Sequence, residues 1–190
     1  MIAAQDPTNL DQHIASRIKA RRLDLGYTLD GLAERSGVSR AMISKLERNQ
    51  VSATASLLAK LASALSLTLS ALFNETAEHG PLVRASTRPI WQDPATGYFR
   101  RNVTSESAPM DIVDVTLPPG ARVTYDNAVP MHLDQIVWVL EGVLTMEVGD
   151  NHYQLDKGDS LHMRLDSIIV YENKTLADIR YAVVLSRGSR

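Results

Sequence analysis

The stretch VPMHLDQIVWVLEGVLTMEVGD, residues 129–150, sets His132 and Gln135 at the head of an alternating run. A strand histidine suggests a metal site, because neutral imidazole is a common ligand. Zinc, iron and manganese take three or more protein nitrogen or oxygen ligands. Leu133 and Asp134 follow His132, and the nearby amide of Gln135 is neutral. His152 lies beside a GDN turn and His162 stands alone in a strand-like run. One histidine and one amide are too few, so no metal and no cofactor are expected. The chain lacks cysteine, which excludes disulfides, thiolate metal sites and cysteine nucleophiles. It carries no P-loop, G-x-S-x-G elbow or dinucleotide fingerprint. Chemistry of a binding kind remains. A period of two puts Gln135 and Val137 on one strand face, and Ile169 and Tyr171 share another. Apolar walls with a few convergent polar groups suit a small molecule. His132, Gln135 and Tyr171 are the polar candidates, with Val137 and Ile169 beside them. The competing reading is that these side chains only fill a core.

A second chemistry is written in TLDGLAERSGVSRAMISKLERNQ, residues 28–50. Two short helices joined by a tight turn can place the start of one helix against base edges in DNA. Here Gly37 sits in the turn and Ala33 is small where two helices cross. Val38 and Ile43 are apolar where the pair must pack.

The elements that position these groups follow from periodicity. Ile14, Ile18, Leu25 and, less regularly, Leu23 form a face of a first helix, which Gly26 ends. Thr28 caps a second helix with Leu29, Leu32 and Ala33 inward. Ser39 caps a third with Met42, Ile43 and Leu46. A fourth runs from about Thr54 to Leu65 with Leu57, Leu58, Leu61 and Leu65 buried. A fifth ends at Phe73. Residues 74–83 are polar, hold Gly80-Pro81 and read as a linker. After it DIVDVTL, QIVWVL, VLTMEV, SIIVYEN and IRYAVVL are strand-like, with turns PPGA, EG, GDN and KGD between them. Such spacing indicates an antiparallel barrel or sandwich.

These patterns carry two resemblances. IASRIKARRLDLGYTLDGLAERSGVSRAMISKLERNQ resembles the phage-repressor-like, XRE-type helix-turn-helix family over residues 10–73. The resemblance implies that Arg40, Ala41, Ser44 and Lys45 face the bases, following the cap Ser39. Arginine can read guanine through O6 and N7, and the alanine methyl can touch a thymine methyl. Thr28 and Leu29 would contact phosphate, Leu29 through its backbone N–H only. Arg48 and Asn49 would lie near the DNA backbone. Arg22 and Glu47 match a buried structural ion pair. HLDQIVWVLEGVLTMEVGDNHYQLDKGDSLHMRLDSIIVYEN resembles the cupins through VLEG, LDKGDS and YEN, over residues 110–186. Against that family's metal-binding pattern, Gln135 stands at the glutamate position and Ile169 at the late histidine position.

Hydrophobic residues make up 44% and charged residues 22%, the profile of a soluble globular protein. The net charge of −2 divides unevenly. Residues 1–73 hold nine Lys/Arg and six Asp/Glu, a net of +3; residues 74–190 hold eleven and sixteen, a net of −5. Nucleic-acid contact therefore belongs to the front. No run is apolar enough to span a membrane and no signal peptide is read, so a cytoplasmic location is expected.

The expected fold class is α+β multidomain. A five-helix all-α domain over 10–73 and a linker over 74–83 precede an all-β cupin barrel (double-stranded β-helix, or jelly roll) over 84–190. The implied function is a sequence-specific transcriptional regulator, not an enzyme. Its partners would be a double-stranded operator, a small-molecule effector and a second copy of itself. Two rivals remain. A metal-dependent cupin enzyme with an accessory DNA-binding segment requires a bound metal. An antitoxin-like DNA binder requires a protein partner instead of a small molecule.

Overall fold

The computed structural model describes residues 7–73, 82–105, 107–126 and 133–186. Among the described residues five α-helices come first: α1 (Pro7–Asp24), α2 (Leu29–Ser36), α3 (Arg40–Glu47), α4 (Ala55–Ala64) and α5 (Leu69–Phe73). The hydroxyls of Thr28, Ser39 and Thr54 accept from the backbone N–H of Gly31, Met42 and Leu57, capping α2, α3 and α4. Each cap satisfies an N–H that has no partner within its helix. Gly37 closes α2 at φ +66, a left-handed conformation in which its missing Cβ removes the clash.

The inward stripe of α1 differs from the expected one. Ile14 and Ile18 are buried, but the next position of that stripe is Arg22, and Leu23 is 58% exposed. At 3.6 residues per turn, Leu23 lies well off the line through residues 14, 18 and 22. Met42 is likewise exposed and Leu57 only half-buried, each one residue off a buried neighbour, Ile43 and Leu58.

Ten strands follow among the described residues: β1 (Trp91–Gln92), β2 (Phe99–Asn102), β3 (Met110–Leu117), β4 (Arg122–Asp126), β5 (Asp134–Glu141), β6 (Leu144–Val148), β7 (Asn151–Leu155), β8 (Ser160–Arg164), β9 (Ile168–Glu172) and β10 (Ile179–Ser186). They form two antiparallel sheets, ordered β1-β2-β3-β10-β5-β8 and β4-β9-β6-β7. This is a jelly-roll barrel of the cupin type. Along β5, Gln135, Val137 and Val139 point inward while Ile136 and Trp138 point out. Gly142 turns the chain after β5 at φ +82, and a Cβ there would collide with Ile179. The linker expected at 74–83 lies outside the described residues except for Leu82 and Val83.

The helices dock on the barrel through specific contacts. Phe73 meets Trp91 edge-on at 5.2 Å between ring centroids, and Trp91 meets Tyr98 at 5.8 Å. The buried carboxylate of Asp93 accepts from the Ala55 N–H at 2.9 Å. Its negative charge therefore sits at the positive end of α4. Ser56 Oγ donates to the Thr124 carbonyl at 2.8 Å, and Asn102 Nδ2 donates to the Ser70 carbonyl at 3.0 Å.

Candidate functional site

Two sites stand on this frame. The first is the outer side of α2 and α3. Thr28, Ser39, Arg40, Ala41, Lys45, Arg48 and Asn49 are exposed, and Leu29 and Ser44 are half-buried. Leu29 packs against the helical core, so a contact from it falls to the backbone. Thr28 and Ser39 use their hydroxyl oxygens as caps and keep their own O–H as a donor. Arg40 Nε lies 3.4 Å from Asp30 Oδ1 across the helix pair, with side-chain exposures of 65% and 76%. Arg48 Nε donates to the Ser44 carbonyl at 3.0 Å. Asn49 holds φ +53, a left-handed value that asparagine tolerates better than most residues.

Beneath this face Arg22 and Glu47 form a two-pronged ion pair. Nε donates to Oε1 at 2.6 Å and Nη2 to Oε2 at 2.8 Å. Arg22 Nη1 also donates to the Tyr27 carbonyl at 2.8 Å. The Glu47 hydrogen bond, against the cost of burial, holds the Arg22 guanidinium above its ordinary pKa. The pair clamps the end of α3 to the end of α1.

The second site is a cavity of about 90 Å³ inside the barrel mouth. A single water needs about 10–15 Å³ by this measure, so the space suits a compact molecule. Barrel walls come from Val113 and Val115 on β3, Gln135 on β5, Ile169 and Tyr171 on β9, and Tyr181 and Val183 on β10. The roof comes from the helical half: Ala59, Ala62 and Ser63 of α4, and Leu69 and Ser70 of α5.

Four tyrosines line it. Tyr98 Oη and Tyr125 Oη share a hydrogen bond at 2.8 Å. Tyr171 stacks on Tyr181 at 5.5 Å and meets Tyr125 edge-on at 5.7 Å. Gln135 Nε2 donates to Tyr171 Oη at 2.6 Å and contacts Met163 Sδ at 3.7 Å. Burial raises the pKa of all four phenols, so they stay protonated donors at neutral pH.

Of the pocket residues expected from sequence, Gln135, Ile169 and Tyr171 line the cavity. Val137 is fully buried but packs in the core, outside the lining. Its position two residues past Gln135 carries it deeper into the barrel. His132 lies outside the described residues. His162 is exposed on β8 and pairs with Asp134 at 3.0 Å; His152 is exposed on β7. Among the described residues no three His, Cys, Asp or Glu side chains converge. Among the described residues the cavity lining offers an amide, hydroxyls, neutral phenols and a guanidinium, a set without the imidazoles or carboxylates that zinc, iron or manganese take.

Sequence reasoning missed Arg100 and the whole roof. Arg100 lines the cavity at 6% exposure, its guanidinium 4.4 Å above the Phe73 ring. No local signal announced it: in FRRN the apolar Phe99 faces outward and the charged Arg100 inward, the reverse of what residue type suggests.

Residues 18–72 match the helix-turn-helix family HTH_3. The transcriptional regulator SutR of Escherichia coli is 35% identical over 75 residues, which is 40% of this chain and 42% of SutR. The transcriptional regulator SinR of Bacillus licheniformis is 38% identical over 66 residues, 34% of this chain and 60% of SinR. The chain thus spans about half the length of these relatives. An HTH_3 family transcriptional regulator from Vibrio cholerae shares the fold over 97% of this chain and 100% of its own, with a TM-score of 0.79 at 23% identity. No helix among the described residues is long and apolar enough to cross a membrane.

Proposed function

From a front domain that is an XRE-type helix-turn-helix, we propose that the chain is a DNA-binding transcriptional regulator. In this reading a small molecule in the cupin barrel changes its grip on the operator. One observation carries the reading: the cavity is walled by the barrel but roofed by α4 and α5 of the reader domain. An occupant touches both halves at once. It can shift the reader's arrangement to the extent that it binds one arrangement more tightly than another.

On the reading face Arg40, Ala41, Ser44 and Lys45 meet bases, following Ser39. Thr28, the Leu29 N–H, Arg48 and Asn49 meet phosphates. A single short helix covers one half-site, so two copies address two half-sites about 34 Å apart or a multiple of that. Dimerisation through the barrel fits the outer face of the long sheet, where Ile136 and Trp138 stand 42% and 49% exposed beside Met110.

The test selects DNA from a random library with the full chain and reads binding by fluorescence anisotropy. A two-half-site sequence should be enriched. Gln135→Ala should keep the DNA affinity measured without effector and lose the response to any molecule that alters it. An unenriched pool, or an unchanged response in Gln135→Ala, would overturn the corresponding part.

A further inference from the structure

Among the described residues the cavity lining holds one full positive charge, Arg100, and no anion matches it. Among the described residues Arg100 makes no ion pair. Its Nη2 donates to Ser70 Oγ on α5 at 3.1 Å. Its Nε is buried with no hydrogen-bond partner. Removing a guanidinium from water costs several kcal/mol unless a partner compensates it. The Phe73 face offsets a part of that and the neutral Ser70 hydroxyl another. Neighbouring Arg101, on the opposite face of β2, differs in having an anion: its Nη2 donates to Asp114 at 2.5 Å, although its Nε, like that of Arg100, is buried without a partner.

The unfilled edge has a specific shape. Nε and Nη2 are the two donors that a carboxylate grips side by side in a fork-to-fork pair. One of them is vacant, and the other is held only by Ser70. The same cavity is lined by the mutually hydrogen-bonded phenols of Tyr98 and Tyr125, while Val113, Val115 and Ile169 provide hydrocarbon walls. A single cation with apolar walls suits one negative charge on an apolar body; a phosphate dianion would leave charge uncompensated against valines.

We propose that the cavity takes a compact organic carboxylate with an apolar body, whose carboxylate grips Arg100 at Nε and Nη2 and displaces Ser70 from it. This rests on the reading that the barrel cavity is the effector site. The displacement supplies the coupling. Ser70 is fully buried and sits on the roof helix α5, so Arg100 cannot turn to a ligand without releasing a tie between barrel and reader. A neutral ligand of the same shape has no such claim on Arg100 and leaves the tie in place.

The experiment uses the full-length protein and four probes: benzoate and isovalerate, with benzamide and isovaleramide as neutral matches. Calorimetry should show each acid binding at least roughly tenfold more tightly than its amide, the worth of a charge-assisted hydrogen bond. Arg100→Gln should erase that difference. Ser70→Ala, which removes only the competing hydroxyl, should tighten the acids several-fold and leave the amides alone. It keeps the test open if Arg100→Gln folds poorly. Equal binding of acids and amides, no binding of either, or acid affinity untouched by both substitutions would each overturn the proposal. DNA binding measured in parallel separates the two readings. Acids that bind through Arg100 without changing DNA affinity would support the carboxylate site and sink the regulatory reading. Amides that bind equally well and change DNA affinity would do the reverse.

Discussion

Arg40 and Arg100 carry the same group in opposite surroundings. Arg40 stands in water on the reading face, loosely tied to Asp30. Arg100 is enclosed in the barrel mouth with one neutral hydroxyl and one ring for company. In water a guanidinium interacts weakly with any one partner and is free to exchange it, which suits the DNA-reading role proposed for this face. Inside the protein the same charge interacts strongly and a missing partner is costly, which suits a site that waits for one kind of molecule. The electrostatics of exposure thus separate the proposed DNA face from the proposed ligand site.

The largest expected effect tests the buried end of this contrast where it is fully paired. Glu47→Ala leaves Arg22 enclosed without its anion, and the helical half should lose about 3–5 kcal/mol in denaturant unfolding. A loss under about 1 kcal/mol would mean that water reaches the pair and that burial is not what strengthens it.

Arg40→Ala tests the exposed end. Discrimination between a selected operator and random DNA should fall by about 1–3 kcal/mol, with random DNA little affected. Equal weakening on both would assign Arg40 to phosphate.

Asp114 lies between the two extremes, partly covered on the outer face of β3. Burial would raise its pKa, but hydrogen bonds from Arg180 and Arg101 outweigh it and hold the carboxyl below its ordinary value. Its contribution is complete above the unfolded value near pH ~4 and is lost as pH falls through the lower folded value. Asp114→Asn should cost about 1–2 kcal/mol at neutral pH and flatten this acid limb in a denaturation series. An acid limb as steep as the parent's would place its origin in other carboxylates.

The smallest effect concerns the surface pair. Asp30→Asn frees Arg40 and removes a negative charge from the reading face, tightening DNA of any sequence by roughly 0.3–1 kcal/mol. The gain should shrink as salt is added, because exposed charges are screened. A salt-independent gain would mean that Asp30 acts through the fold.

Much of the helical half was legible because its rules are local. Thr28 and Ser39 were read as caps from type and position alone, and both accept the expected backbone N–H. Where the reading slipped, the cause was angular. Position 22 belongs to the inward stripe of α1, and its burial is made possible by Glu47, twenty-five residues away. Apolar periodicity alone sets Leu23 on that face, whereas the family resemblance already implies the buried Arg22–Glu47 pair that the structure holds there.

The barrel was legible where one strand face is buried and the other wet. The alternation in β3, β5 and β10 shows this. It was illegible in β7, NHYQL, whose residues are all exposed except Leu155 and carry no period. It was also hidden in β2, where two consecutive arginines face opposite ways with unlike partners.

By itself the sequence determined the caps, the helix-turn-helix layout, and the inward parity of Gln135, Ile169 and Tyr171. These depend on residue type and on periods of 3.6 and 2, which are properties of a short piece of chain. Only the tertiary structure decided that α4 and α5 close the barrel mouth and that Arg100 enters the cavity without an anion. The Ser70–Arg100 tie spans 30 residues and the Asp93–Ala55 tie spans 38. Neither has a local period to announce it, because each exists only where two separately folded surfaces meet.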